Sequence, residues 1–371
     1  MKAVAVFPDT KQVKVITDHP EPKISAPTDV KLRMIDVGVC GTDKEIVRFD
    51  YGTPPPGSPY LVIGHESLGE VIETGSAVQK FKKGDLAVVM VRRPCDHPDC
   101  VACRAGRQDF CYTGDFTERG IKGRHGFMTE YVVDDQKYMN LVPAELRDLA
   151  VLVEPLTIAQ KAVEQLWQVQ SRLPWGLPGG PDKAGRYMHK ALVLGAGPVG
   201  LLGAMTLVKA GFATWVYSKN PVPSPQSDFC KSIGATFLAA DSTSVADAAG
   251  IIGNIDLVYE AVGASSLAFE VIRVLGTNGV FIFTGVPGRK APIQVDTDVL
   301  MRDFVLKNQI FYGTVNAGKQ AFEDAISDLA EFRRRWPDAV PRLITGRFKI
   351  EQAIDLLTGK VDGIKNVVSL R

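Results

Sequence analysis

Six residues constrain this chain more than any others: Gly195-Ala196-Gly197-Pro198-Val199-Gly200 follows the apolar run ALVL and opens the apolar run VGLLGAMTLVKAG. A GxGxxG between a strand and a helix is the turn in which backbone N–H groups and a helix N-terminus hold a pyrophosphate. Gly195 permits the tight turn, Gly197 lets the backbone approach the phosphates, and Gly200 lets the helix pack on the strand; Pro198 and Val199 complete the turn. With 35 glycines in 371 residues, the motif needs its context to carry weight. That context is an alternation of strand and helix: ATWVYS, a helix around DFCKSIGA, TFLAA, NIDLVYEAVG, a helix around SSLAFEVIRVL, GVFIFTGV and QIFYGTVNAG. Apolar strands joined by helical crossovers predict a doubly wound α/β unit, a parallel sheet covered on both faces.

A chain of 371 residues exceeds one ordinary core, so the rest must fold separately. Residues 1 to about 140 read as β-rich, with short alternating segments such as DVKLRMIDVGV, SLGEVIETG and FMTEYVVDD between Gly, Pro and Asp turns. VLVEPLTIAQKAVEQLWQVQ predicts a long helix, RLPWGLPGGPDKAG (172–185) a surface loop, and the tail after Lys319 an amphipathic helix and a last strand, KNVVSL. The predicted division is 1–160 with 317–371 in one domain and 161–316, the dinucleotide-binding part, in the other.

Forty-three basic against 42 acidic residues leave a net charge of +1, without the basic excess of a nucleic-acid binder. No stretch approaches the roughly 18 apolar residues that cross a bilayer. The start, MKAVAVFPDTKQVKV, alternates like a strand and lacks a signal peptide's continuous apolar run. The expectation is a cytoplasmic protein, in which structural disulfides are disfavoured.

Four of the six cysteines nevertheless fall within seventeen residues: Cys95, Cys100, Cys103 and Cys111. The opening C-x4-C-x2-C has plant-type ferredoxin spacing, but such a cluster takes its last ligand from much further along the chain. A compact set of four is better read as a closed tetrahedral zinc site. His97 within the loop is expected to face solvent, and Cys230 to be a half-buried helix residue without chemistry. A second constellation is more scattered: Cys40-Gly41-Thr42-Asp43, Gly64-His65-Glu66 and Val153-Glu154-Pro155. Finally, TWVYS ends in Ser218-Lys219-Asn220 without the carboxylate that would accept hydrogen bonds from an NAD ribose. A hydroxyl, an ammonium and an amide favour NADP, with NAD possible.

Together these motifs resemble the zinc-dependent medium-chain alcohol dehydrogenase superfamily. Within it, CGTDKE (40–45), RRP (92–94), FTERGIKGRHGFMTEYVV (116–133), LVEPLTIAQKA (152–162) and YGTVNAG (312–318) are most similar to the glucose dehydrogenase branch known from archaea. The resemblance implies a GroES-like β-rich catalytic domain plus a Rossmann-type cofactor domain. It implies two zinc ions per chain, one of them structural, in the four-cysteine lobe. The lobe departs from the usual pattern by having four residues between Cys95 and Cys100. The catalytic zinc is expected on Cys40 and His65 with a carboxylate from Glu66 or Glu154, a choice the sequence leaves open. Thr42 is expected to contact the reacting alcohol and pass on its proton. Thr42, Glu118, Glu154 and Asn316 are the expected sugar contacts, and Asn316 also faces the cofactor. The plain alternative for Glu118 is a loop acid paired with Arg119; His125 and Glu130 are expected only to shape the fold.

The implied reaction is oxidation of an aldose at C1, foremost D-glucose to gluconolactone, by a homo-oligomer (dimer or tetramer). Its rivals are a polyol or other alcohol dehydrogenase and a non-enzymatic protein using the cysteine lobe as an interaction finger.

Overall fold

The computed structural model describes residues 1–174, 188–288 and 292–370. Residues 175–185 of the expected Pro/Gly loop therefore lie outside the described residues. The chain divides into two compact units. One comprises Met1–Thr157, Asn316–Arg335 and Val340–Arg371; the other comprises Ile158–Val315 and Trp336–Ala339.

The first unit is built on the strand Asp29–Gly38, which is buried at nine of its ten positions and so is covered on both faces. It pairs antiparallel with Glu66–Thr74, Tyr131–Asp135 and Lys365–Ser369. The sheet continues to Leu86–Val89 and Met139–Val142 on one side and to Ile344–Lys349 on the other. Val30, Leu32, Met34, Val71, Ala87 and Phe127 fill its core, each at most 1% exposed. Two pairings matter for chemistry. Gly38 lies opposite Glu66, and Val367 lies opposite Gly38, so strands from opposite ends of the chain meet beside Cys40. Gly38 is required there, because a Cβ would stand 2.0 Å from Glu66 Oε2.

The second unit holds a six-stranded sheet. Its order is Thr236–Ala239, Ala213–Ser218, Lys190–Leu194, Leu257–Glu260, Val280–Phe283, Ile310–Gly313, and every pairing is parallel. The doubly wound α/β class read from the alternation is the one observed. Two helices escape the pattern reading, Val245–Ile252 and Thr297–Leu306. The first is short and rich in Ala; the second leaves Val299, Met301, Val305 and Leu306 exposed, so its apolar face is not confined to one side. Cys230 departs from expectation in degree. It is wholly buried, and burial pushes its thiol up to about 12. No helix among the described residues is long and apolar enough to cross a membrane.

Candidate active site

Cys40 caps the short helix Gly41–Val47, and Asp43 in that helix's first turn closes the cap by accepting from the Cys40 amide at 2.8 Å. The same carboxylate, fully buried, accepts from Gly64 N at 3.2 Å and faces His65 Nδ1 at 3.4 Å. Asp43 thus ties the cysteine-bearing helix to the histidine-bearing loop. Burial opposes a charge on His65, but Asp43 and Cys40 outweigh it and raise its pKa well above the usual histidine range. Ligand atoms of Cys40, His65 and Glu66 lie within 4.8 Å of one another, a sulfur, a nitrogen and an oxygen converging as a zinc site requires. Thr42 Oγ1 stands 3.9 Å from Cys40 Sγ.

Glu66 and Glu154 differ in their surroundings. Both oxygens of Glu66 accept from Lys365 Nζ, at 2.7 and 2.5 Å, and this ammonium, 2% exposed, also reaches the carbonyl of Val39. The Glu154 carboxyl accepts from no described residue. Burial, then the nearby Glu66 charge, pushes it up to about 7 although His65 pulls it down. Asp43 and Lys365 are site residues that sequence reasoning missed. Asp43 lies within CGTDKE, and its place three residues after a capping Cys is a signal for it. Lys365 gave none.

The cysteine lobe fits its expected role. Cys95 Sγ and Cys103 Sγ are 3.6 Å apart, and Cys100 Sγ and Cys111 Sγ are 3.9 Å apart. Four sulfurs about 2.3 Å from a tetrahedral zinc have edges of about 3.8 Å. All four ligand atoms lie within 4.8 Å of one another and none forms a disulfide. His97 is outside this group, exposed, and paired with Asp115. The four residues between Cys95 and Cys100 are accommodated without displacing either sulfur.

Glu118 is 5% exposed and pairs with Arg92, not with its neighbour Arg119, which is bound to Asp134. Asn316, held at φ 57°, donates Nδ2 to Glu118 Oε1 at 3.0 Å. Two of the expected sugar contacts are thus in direct contact. His125 stacks on Tyr60 and accepts from Val62 N, which is a packing role. Glu130 accepts from the amide of Lys2 at 2.6 Å.

In the second unit the three glycines of the turn meet different surroundings. Gly195 has φ +100°, and a Cβ on Gly200 would stand 2.1 Å from Gly195 O. A Cβ on Gly197 would meet nothing within 4 Å, so the space over its backbone is open to a ligand. Gly197 caps the helix Pro198–Lys209, so a helix N-terminus begins at that turn, with Pro198 in the first position where a missing N–H costs nothing. At the end of the neighbouring strand Ser218 donates to Asn220 Oδ1 at 2.7 Å, with Lys219 exposed between them.

Residues 26–144 match the alcohol dehydrogenase GroES-like domain, and residues 147–370 match the glucose dehydrogenase C-terminus. The chain belongs to the glucose dehydrogenase family. Family members include the glucose 1-dehydrogenase of Methanocella arvoryzae, 36% identical over 370 residues that cover 100% of this chain and 99% of the relative. The glucose 1-dehydrogenase of Thermoproteus tenax is 37% identical with full coverage of both chains. Among solved structures, the Haloferax mediterranei glucose dehydrogenase in complex with NADP, Zn and gluconolactone superposes with a TM-score of 0.87 at 29% identity, covering 100% of this chain and 99% of that one. The fold extends beyond the family: galactitol-1-phosphate dehydrogenase from Escherichia coli shares it at a TM-score of 0.79 and 19% identity.

Proposed function

We propose that the protein is a zinc-dependent glucose 1-dehydrogenase that oxidises D-glucose at C1 to gluconolactone and prefers NADP to NAD. The observation that carries this reading is the converging Cys40, His65 and Glu66 donor set, in a chain alike over its full length to relatives with that activity. Zinc would polarise the C1 hydroxyl as a Lewis acid, and the nicotinamide would take the hydride. Cys40 and His65 hold the metal, with Asp43 fixing the imidazole. Glu66, held by Lys365, completes the donor set, and Glu154, which no described residue engages, is a second carboxylate free to turn towards metal or sugar. Thr42 takes the proton of the reacting hydroxyl, and Glu118 and Asn316 receive hydroxyls further round the ring. Cys95, Cys100, Cys103 and Cys111 hold the second zinc. Gly195 to Gly200 carry the pyrophosphate, and Ser218, Lys219 and Asn220 face the 2′-phosphate. This reading assigns the metal chemistry to 1–160 with 317–371 and the cofactor to 161–316.

The chain is also inferred to work as a dimer or tetramer. Among the described residues the strand Ile310–Gly313 ends its sheet without a further partner strand, and Val299, Met301, Val305 and Leu306 are 38–70% exposed nearby in sequence. Light scattering tests this. The reaction is tested by initial rates on aldoses and polyols, each with NAD and NADP, followed at the reduced-nicotinamide band. Glucose with NADP is expected to give the highest kcat/KM, and a polyol outpacing every aldose overturns the assignment.

A further inference from the structure

Arg92 is a buried cation that the proposed chemistry does not use. Its strand, Arg92–Arg93, pairs antiparallel with Thr117–Arg119, and Arg92 lies directly opposite Glu118. Side chains paired in this way project from the same face. An arginine fork commonly grips both oxygens of a carboxylate. Here Nε and Nη2 both donate to one oxygen, Glu118 Oε1, at 3.1 and 3.0 Å, and Asn316 Nδ2 donates to that same oxygen at 3.0 Å. Oε2 accepts from no described residue, and it is not among the buried atoms left without a partner, so it keeps access to solvent. The guanidinium is itself fixed. It lies over the Phe116 ring at 3.7 Å, and Nη1 donates to the Asp109 carbonyl at 3.4 Å.

We propose that Arg92 is a positioning residue for sugar binding: with Asn316 it saturates one oxygen of Glu118 and aims the other at a single ring hydroxyl away from the reacting carbon. This rests on Glu118 being a sugar contact. A carboxylate with both oxygens open can turn and offer either one. Three donors on Oε1 remove that freedom before the sugar arrives, so binding does not have to order the acceptor. The arrangement favours a sugar with one hydroxyl in the right place over polyols that can flex to meet a mobile acceptor.

The test uses the full-length, zinc-loaded enzyme with NADP, D-glucose and the 2-, 3-, 4- and 6-deoxyglucoses. Wild type should lose efficiency on the deoxy sugar lacking the hydroxyl that Glu118 accepts. Arg92→Leu should raise KM for glucose by roughly 10- to 100-fold, the effect of losing a hydrogen bond to a charged group. KM for NADP should change less than about twofold, and on that one deoxy sugar the variant should equal wild type. Arg92→Lys keeps a charge but loses the fork, and should fall between the two; it serves if the leucine variant does not fold, which circular dichroism and zinc content reveal. A penalty equal across all the deoxy sugars, or one shared by NADP, makes Arg92 merely structural and overturns the proposal while the dehydrogenase assignment stands. A wild type that oxidises no aldose overturns both.

Discussion

Replacing Asp134 by Asn removes one charge from a buried triad while leaving its shape almost unchanged. Asp134 Oδ2 accepts from Arg93 Nη2 at 2.5 Å and from Arg119 Nε and Nη2 at 2.9 and 2.7 Å, among side chains only 5–9% exposed. Burial alone would raise the carboxyl. The charge of Arg119, then that of Arg93, outweighs it and brings Asp134 down to about 2 from an ordinary 3.8. A pKa depressed by folding adds stability that is complete above the unfolded value and is lost as pH falls through the folded one. A gap of roughly two pH units, at about 1.36 kcal/mol per unit, amounts to about 2 kcal/mol at neutral pH. The substitution also leaves two buried guanidiniums short of a counter-charge, so the full loss should lie between that figure and about 3–5 kcal/mol. Urea unfolding followed by circular dichroism, with zinc in excess, measures the difference between the two proteins. That difference should be flat from pH 8 to 5, where wild-type Asp134 stays ionised, and should shrink only between about pH 4 and 2. A loss under about 1 kcal/mol, or one that declines steadily between pH 8 and 5, refutes the assignment of that stability to the ionised Asp134.

Lys365→Met leaves Glu66 buried without its cation, and should cut kcat at least about tenfold while NADPH affinity, read by nucleotide fluorescence, stays put; unchanged kcat would make the ion pair incidental. Cys103→Ser should bring metal analysis from two zinc ions per chain to one and lower the melting temperature, with turnover retained; iron in either protein contradicts the lobe's assignment. His65→Ala should abolish turnover yet leave NADP binding nearly intact, because the pyrophosphate turn lies in the other unit; equal loss of both would break that separation. Ser218→Asp should reverse the preference from NADP to NAD in kcat/KM, since a carboxylate repels the 2′-phosphate; a wild type already better with NAD would show that another group holds the ribose.

The residues legible in the sequence were those whose chemistry is rare and whose spacing is local. Four cysteines within one loop and a glycine turn between an apolar strand and helix announce themselves, and the structure brings each set together. Glu66 was legible as a ligand candidate, but not as one side of an ion pair. Its partner lies 299 residues away in a strand whose lysine looks like any other. Arg92 stands out in the sequence only as part of the family-like RRP (92–94). Its pairing with Glu118, rather than the adjacent Arg119 with Glu118, follows from strand register, which alternation alone does not specify. The helices Val245–Ile252 and Thr297–Leu306 are short, eight and ten residues, and so give a periodic pattern little length in which to show.

The pairing of Lys365 with Glu66 also sets an order of events during synthesis. Between the two residues the ribosome must make the whole run from Ile158 to Val315, most of the second unit. At roughly 5–20 residues per second that interval is about 15–60 s. Throughout it, the edge of Asp29–Gly38 that will receive Lys365–Ser369 is unpaired, and Glu66 has no ammonium beside it. The parallel sheet from Lys190 to Gly313 has all its strands available before that ammonium is made. Only the clamp on Glu66 is late, because Cys40, His65, Glu66 and Glu154 all precede Ile158, and a nascent chain that met zinc early would offer it a Glu66 not yet restrained by Lys365. The four-cysteine lobe, whose ligands span only Cys95 to Cys111, has no such delay and can capture its ion while translation continues.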